Sequence, residues 1–237
     1  MLSIRTLALA LLLVFQAAKS GPALRNVHRT MYSNKTKLYA EFQPLIVGQS
    51  TRLTAHLTKV GERFLAYTEG KVILTLTVDG TPVEILAQGP ERAGVFRLPT
   101  TPTKAGPARM TFVITEGGAS ETFVIDDVTV YPDAQTALAR QPPDETAGMI
   151  KYSKENAWDQ DFATAEIHKT GGMLGVPQSA IMEADGGTRM YVQRTPEAYE
   201  FREVKTGKRL DQSIEIVQGL KEGDRIVIKG GDKMPRK

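Results

Sequence analysis

Val72-Ile73-Leu74-Thr75-Leu76-Thr77-Val78-Asp79-Gly80-Thr81-Pro82-Val83-Glu84-Ile85-Leu86-Ala87 holds the clearest pattern in this 237-residue chain. Val72, Leu74, Leu76 and Val78 alternate with Ile73, Thr75 and Thr77. This is the period of a strand with one face in a core. Asp79-Gly80 supplies two residues that tolerate a left-handed backbone, so Val83 to Ala87 is expected to return as the paired strand of a tight hairpin. Working outward, Leu38, Ala40 and Phe42 fall on one face of a second segment, and Leu53, Ala55 and Leu57 on one face of a third. Gly94 to Leu98, Ala108 to Ile114 and Thr122 to Val130 bring the number to about seven short strands, which predicts an immunoglobulin-like β-sandwich over residues 25–132.

After Tyr131 the pattern changes. Asp133 is placed to cap a short helix running to Arg140, and Gln141-Pro142-Pro143-Asp144-Glu145 then interrupts regular structure. Ser153 reads as the N-cap of a second short helix with Glu155 in its first turn, and Trp158 and Phe162 as core anchors. Residues 133–172 are therefore expected to be a linker with short helices. From 173 to 232 alternation returns: Met190 and Val192 against Tyr191 and Gln193, then Phe201 and Val204, then Ile214, Ile216 and Ile226 to Ile228. Turns at Asp185-Gly186-Gly187 and Glu222-Gly223-Asp224 close a small β-barrel or roll. The expected class is all-β, with helix confined to the linker.

Composition narrows the function. Arg5, the apolar run Leu7 to Phe15 and the small-residue stretch Ala17, Ala18, Lys19, Ser20 have the layout of a secretory signal over residues 1–20. The run is about half the roughly 20 residues that cross a bilayer. The formal charge of +3 falls to +1 once Arg5 and Lys19 leave with the signal, and no basic patch with interleaved aromatics suggests nucleic acid. There is no cysteine, hence no disulfide, thiolate metal site or thiol nucleophile. No G-x-S-x-G, H-E-x-x-H or phosphate-binding glycine loop occurs, and the acid pairs Asp126-Asp127 and Asp159 with Asp161 have spacings common on solvated turns. The chain reads as a non-enzyme.

Several stretches resemble a known family. Val176-Pro177-Gln178-Ser179-Ala180-Ile181, Arg189-Met190-Tyr191-Val192 and Val217-Gln218-Gly219-Leu220-Lys221-Glu222-Gly223-Asp224-Arg225-Ile226-Val227 resemble the membrane-proximal domain of periplasmic adaptor subunits, or membrane fusion proteins, of RND efflux systems. Leu38 to Phe42, Ala55-His56-Leu57-Thr58 and Val128 to Asp133 are similar to the extra N-terminal domain of the heavy-metal branch. Ile150 to Trp158 and Phe162-Ala163-Thr164 are similar to the segment that leads into the adaptor body. The lipoyl, helical-hairpin and barrel domains that such adaptors carry in between are missing, Thr170-Gly171-Gly172-Met173-Leu174-Gly175 joining the two ends directly. The resemblance implies docking on an inner-membrane RND pump at the periplasmic side, with a full-length adaptor as a second partner.

Heavy-metal efflux directs attention to three histidines and eight methionines. His28 and Met31, in the polar stretch after the signal, are the candidate metal ligands, suited to transient Cu(I), Ag(I) or, with carboxylates, Zn(II). His56 is expected on the outer, solvated face of its strand, and His168 near Glu166. Met173, Met182 and Met190 read as fillers of core space, Met173 the more exposed beside its glycines. Two other readings stay open, a free-standing periplasmic metal-binding and buffering protein and an inactive remnant of a longer adaptor.

Overall fold

The computed structural model describes residues 23–184 and 186–236, so the signal-like segment lies outside the described residues. The N-terminal module is built from β1 (Val27–Tyr32), β2 (Thr36–Phe42), β3 (Leu45–Ile46), β4 (Thr51–Lys59), β5 (Leu65–Ala66), β6 (Lys71–Val78), β7 (Thr81–Ala87), β8 (Val95–Thr100), β9 (Gly106–Glu116) and β10 (Ala119–Tyr131). One sheet runs β1-β2-β4, with β5 and β8 both pairing β4; the other runs β3-β10-β9-β6-β7. All seven expected strands are present. The expected hairpin joins β6 to β7 with Val78 opposite Thr81, and Asp79 and Gly80 take φ of 49° and 71°. The three additional strands, β1, β3 and β5, are either short or too polar to show alternation.

The two sheets enclose a core of Leu38, Leu53, Leu57, Val72, Leu74, Phe96, Met110, Phe112 and neighbours, most without solvent exposure. Each enters from an alternate position of its strand, which is why period two was legible.

Beyond Tyr131, α1 (Ala134–Ala139) is capped by Asp133, whose side chain accepts from the Thr136 N–H at 2.7 Å. Then follow β11 (Ile150–Lys151), α2 (Lys154–Asp159) capped by Ser153, β12 (Ala163–Glu166), β13 (Lys169–Thr170), β14 (Met173–Pro177), β15 (Met182–Ala184), β16 (Gly187–Thr195), β17 (Ala198–Glu203), β18 (Lys205–Leu210), β19 (Ser213–Gln218) and β20 (Arg225–Lys229). A six-stranded sheet runs β11-β17-β16-β20-β12 with β15 on β16, and a four-stranded sheet runs β13-β14-β19-β18. Together they form the expected small β roll, closed over Val176, Met190, Val192, Val204, Ile216 and Ile226.

The stretch expected to be linker is more than a linker. Its strand β12 pairs with β20, Thr164 opposite Val227 and Glu166 opposite Arg225, and β11 pairs with β17. Residues 150–170 therefore belong to the C-terminal module, and only 133–149 connect the two. Among the described residues no helix is long and apolar enough to cross a membrane, and both α-helices have six residues.

The modules are joined by a second apolar cluster. Directly opposed residues of an antiparallel pair point the same way, so Tyr32, Lys37 and Thr58 share the face of the first sheet that turns away from the sandwich core, as do Tyr39 and His56. Against that face lie Tyr152, Trp158 and Phe162 and, from the C-terminal sheet, Tyr191, Tyr199 and Val227. Strands β16 and β20 are thus buried on both sides: Met190, Val192 and Ile226 face the roll, Tyr191 and Val227 the sandwich.

Candidate functional site

The four-stranded sheet of the roll has one buried and one open face. Leu174 and Val176 of β14, opposite Ile216 and Ile214 of β19, point into the roll. By alternation Met173, Gly175 and Pro177, with Glu215 and Val217, point outward. Val217 is 60% and Met173 39% exposed, two of the few large apolar side chains that the described surface leaves open. Between β18 and β19 the side chains of Glu215 and Val217 lie over Gly207, where a Cβ would come 2.9 Å from Val217 Cγ1 and closer still to the Glu215 carboxylate, which the Lys208 N–H holds at 3.0 Å. The outer face therefore presents Met173 and Val217 beside a held carboxylate, a surface suited to apposition against another protein.

The sequence-predicted ligands are distributed differently. The polar stretch after the signal that carries His28 and Met31 is strand β1. Three residues apart in a strand, the two side chains take opposite faces. Met31, opposite Leu38, packs against the sandwich core, whereas His28, opposite Glu41, stacks on Tyr39 and shares a 2.6 Å hydrogen bond between its Nδ1 and the Tyr39 hydroxyl. The strand thus separates the pair, and among the described residues no group of three or more His, Asp or Glu is placed to hold a metal ion. His168 is exposed, 3.8 Å from Glu166. Met190 is fully buried in the roll, as expected, and Met182 is partly buried against the inter-module cluster.

His56 corrects its expectation in one respect. It does point away from the sandwich core, yet only 5% of it is exposed, because α2 and the roll cover that face. Its Nε2 lies 3.4 Å from Glu41 Oε2 and neither ring nitrogen has a close hydrogen-bond partner among the described residues. Burial lowers its proton affinity. The His56 contact and the Asn26 amide at 2.8 Å hold the Glu41 carboxyl down to about 2.

Sequence reasoning missed the polar groups between the modules. Trp158 donates its indole N–H to Thr58 Oγ1 at 2.9 Å, Tyr32 donates to Gln193 Oε1 at 2.9 Å, and Gln193 donates in turn to the Tyr199 hydroxyl at 3.0 Å. The Arg225 guanidinium lies 3.7 Å from the centre of the Tyr32 ring, and Lys154 pairs with Glu197 at 2.9 Å. Lys37 is 1% exposed, with Nζ 4.6 Å from the centre of the Phe64 ring and no carboxylate within 4 Å among the described residues. The only hint was the alternation of Lys37, Tyr39 and Glu41 against Leu38, Ala40 and Phe42, which marks an outer face without telling what covers it.

Residues 174–231 match the family model of the CzcB C-terminal circularly permuted SH3-like domain. Over 179 residues the chain is 27% identical to the macrolide export protein MacA of Escherichia coli O157:H7, and equally to that of Shigella flexneri, covering 70% of this chain and 48% of each relative. The chain thus spans about half the length of the curated relatives it matches. Among solved structures, ZneB from Cupriavidus metallidurans aligns with 79% of this chain and 42% of its own at 16% identity, with a TM-score of 0.25. A folded roll at the matched residues, together with relatives along most of the chain, places this protein among relatives of the membrane fusion adaptors, carrying a CzcB-type C-terminal domain at residues 174–231.

Proposed function

We propose that the chain is a non-enzymatic, adaptor-like component of an RND-type heavy-metal cation efflux system, acting in the periplasm by docking on the inner-membrane pump. The observation that carries the reading is the match to the CzcB-type domain at 174–231, whose outer face leaves Val217 exposed, with Met173 exposed just before it. In this reading the metal ion is the cargo of the pump, and a full-length adaptor is the second partner, contacted through the sandwich module. The family names of CzcB and of the export relatives support an efflux setting, and the choice of heavy metals rests on the sequence resemblance.

The test is recovery of an RND metal pump from solubilised membranes by the full chain, with and without Cu(I), Ag(I) and Zn(II), beside the double variant Met173→Asp, Val217→Asp. Both substitutions lie on an exposed face, so folding is expected to survive them. Removing two central apolar contacts and adding two charges is expected to reduce recovery at least about tenfold. Equal recovery by the double variant would move the docking surface elsewhere. No recovery under any metal would overturn the reading and leave a metal-buffering protein, detectable as tight metal binding, or an inactive remnant.

A further inference from the structure

A lysine buried between two modules with no carboxylate in contact among the described residues is costly, since its ammonium loses most of its water and gains mainly a ring face in return. Lys37 stands in this position. It projects from the outer face of β2 and is covered by the Phe64 ring, 4.6 Å from Nζ. The charged groups that face it come from three elements of the C-terminal module: Glu197 in the turn between β16 and β17, which favours its charge, and Arg225 on β20 and Lys154 on α2, which oppose it. Glu197 is already engaged by Lys154 at 2.9 Å, and Arg225 by Glu166 at 3.2 Å. On its own module the neighbour is Tyr32, whose burial raises its hydroxyl to about 12, so it stays neutral. Two cations and one occupied carboxylate thus surround a third cation.

We propose that Lys37 is a proton-controlled latch between the two modules: when it gives up its proton the sandwich and the roll close on each other, and when it regains the proton the interface loosens. The outer face of β2 is open to water as soon as the modules part, so the open form holds an ordinary lysine. In the closed form, burial, with Arg225 and Lys154 nearby, pushes the ammonium down to about 7. The open form binds more protons between about 7 and the ordinary value near 10.5, so closure is favoured as pH rises through that window and disfavoured on acidification. From pH 6 to pH 9 the closed-to-open ratio is expected to rise on the order of 100-fold.

Trp158, the sole tryptophan, sits in this interface on Thr58 and reports its opening. In the full chain its emission is expected to shift to the blue and sharpen between pH 6 and pH 9 while the far-ultraviolet circular dichroism stays constant. Lys37→Met should hold the blue-shifted emission across the whole range, and Lys37→Arg, which keeps its charge at every pH tested, should hold the red-shifted one. His56→Gln separates this from histidine titration and should leave the transition in place. The proposal is overturned if wild-type emission is flat from pH 6 to pH 9, or if the transition survives in Lys37→Met or, should that variant not fold, in Lys37→Arg.

Discussion

The sandwich core and the inter-module cluster are both well buried, yet they are different materials. The first is nearly all hydrocarbon, with Leu38, Leu53, Leu57, Leu74 and Phe112 meeting from two sheets. The second is mostly aromatic, Phe64, Tyr152, Trp158, Phe162, Tyr191 and Tyr199, with Tyr152 stacked on Phe162 at 5.2 Å between ring centres and Tyr199 edge-on to both. It is also threaded by buried hydrogen bonds and by Lys37. A hydrocarbon core asks only for shape and is tolerant in its reorganisation. An aromatic and polar seam asks for partners at fixed distances, so it specifies one relative placement of the modules and loses it as a unit.

The largest expected effect sets the two regions against each other. Phe112→Ala in the sandwich and Trp158→Ala in the seam should each cost about 3–5 kcal/mol. Phe112→Ala is expected to unfold the N-terminal module at lower urea. Trp158→Ala is expected to split denaturation into two transitions, one per module, since it removes the side chain that spans them. A single coincident transition in Trp158→Ala would mean that the seam is no weaker a joint than the core.

A smaller change sharpens the polar side of the comparison. Thr58→Val keeps the volume and removes the acceptor of the Trp158 indole, leaving a buried N–H unpaired at a cost of about 1–3 kcal/mol. Hydrogen exchange at the indole should accelerate in that variant more than exchange of the β6 amides. Smallest is the effect at Glu41, whose side chain is 27% exposed and whose partner His56 is an imidazole held largely uncharged by burial, so the pair is worth less than about 1 kcal/mol. Its carboxyl is held below the ordinary range, so its contribution is complete above about pH 4.5 and is lost as pH falls toward 2. Glu41→Gln should flatten that part of the acid-denaturation curve; an unchanged acid limb would show that the His56 contact contributes nothing to stability.

The same contrast explains what was legible in advance. The strands around Val72 to Ala87 announced themselves because one face met a core made of the same local pattern. The caps at Asp133 and Ser153 were equally readable, each being a matter of three or four adjacent residues. The seam was not. His56 looked like a surface residue because the helix that covers it lies about 100 residues later, and Lys37 gave no sign that Arg225 and Glu197 would enclose it. His28 and Met31 were close in sequence but divided by the pleat once β1 joined the sheet. Met173 beside its glycines was read as the exposed methionine, whereas Val217 opposite it drew no notice because an apolar residue in a strand reads by default as core.

Strand β12 carries one more implication. By pairing Ala165 with Ile226 and seating Phe162 against Tyr199 and Gly230, it supplies the roll with an edge that the matched residues 174–231 do not contain. Cut at 173 and grafted onto another protein, the roll would arrive with an open β20 flank and a bare aromatic patch, inviting self-association. The transplantable piece begins near Met149, and any shuffling of this module between chains has to carry the preceding two dozen residues with it.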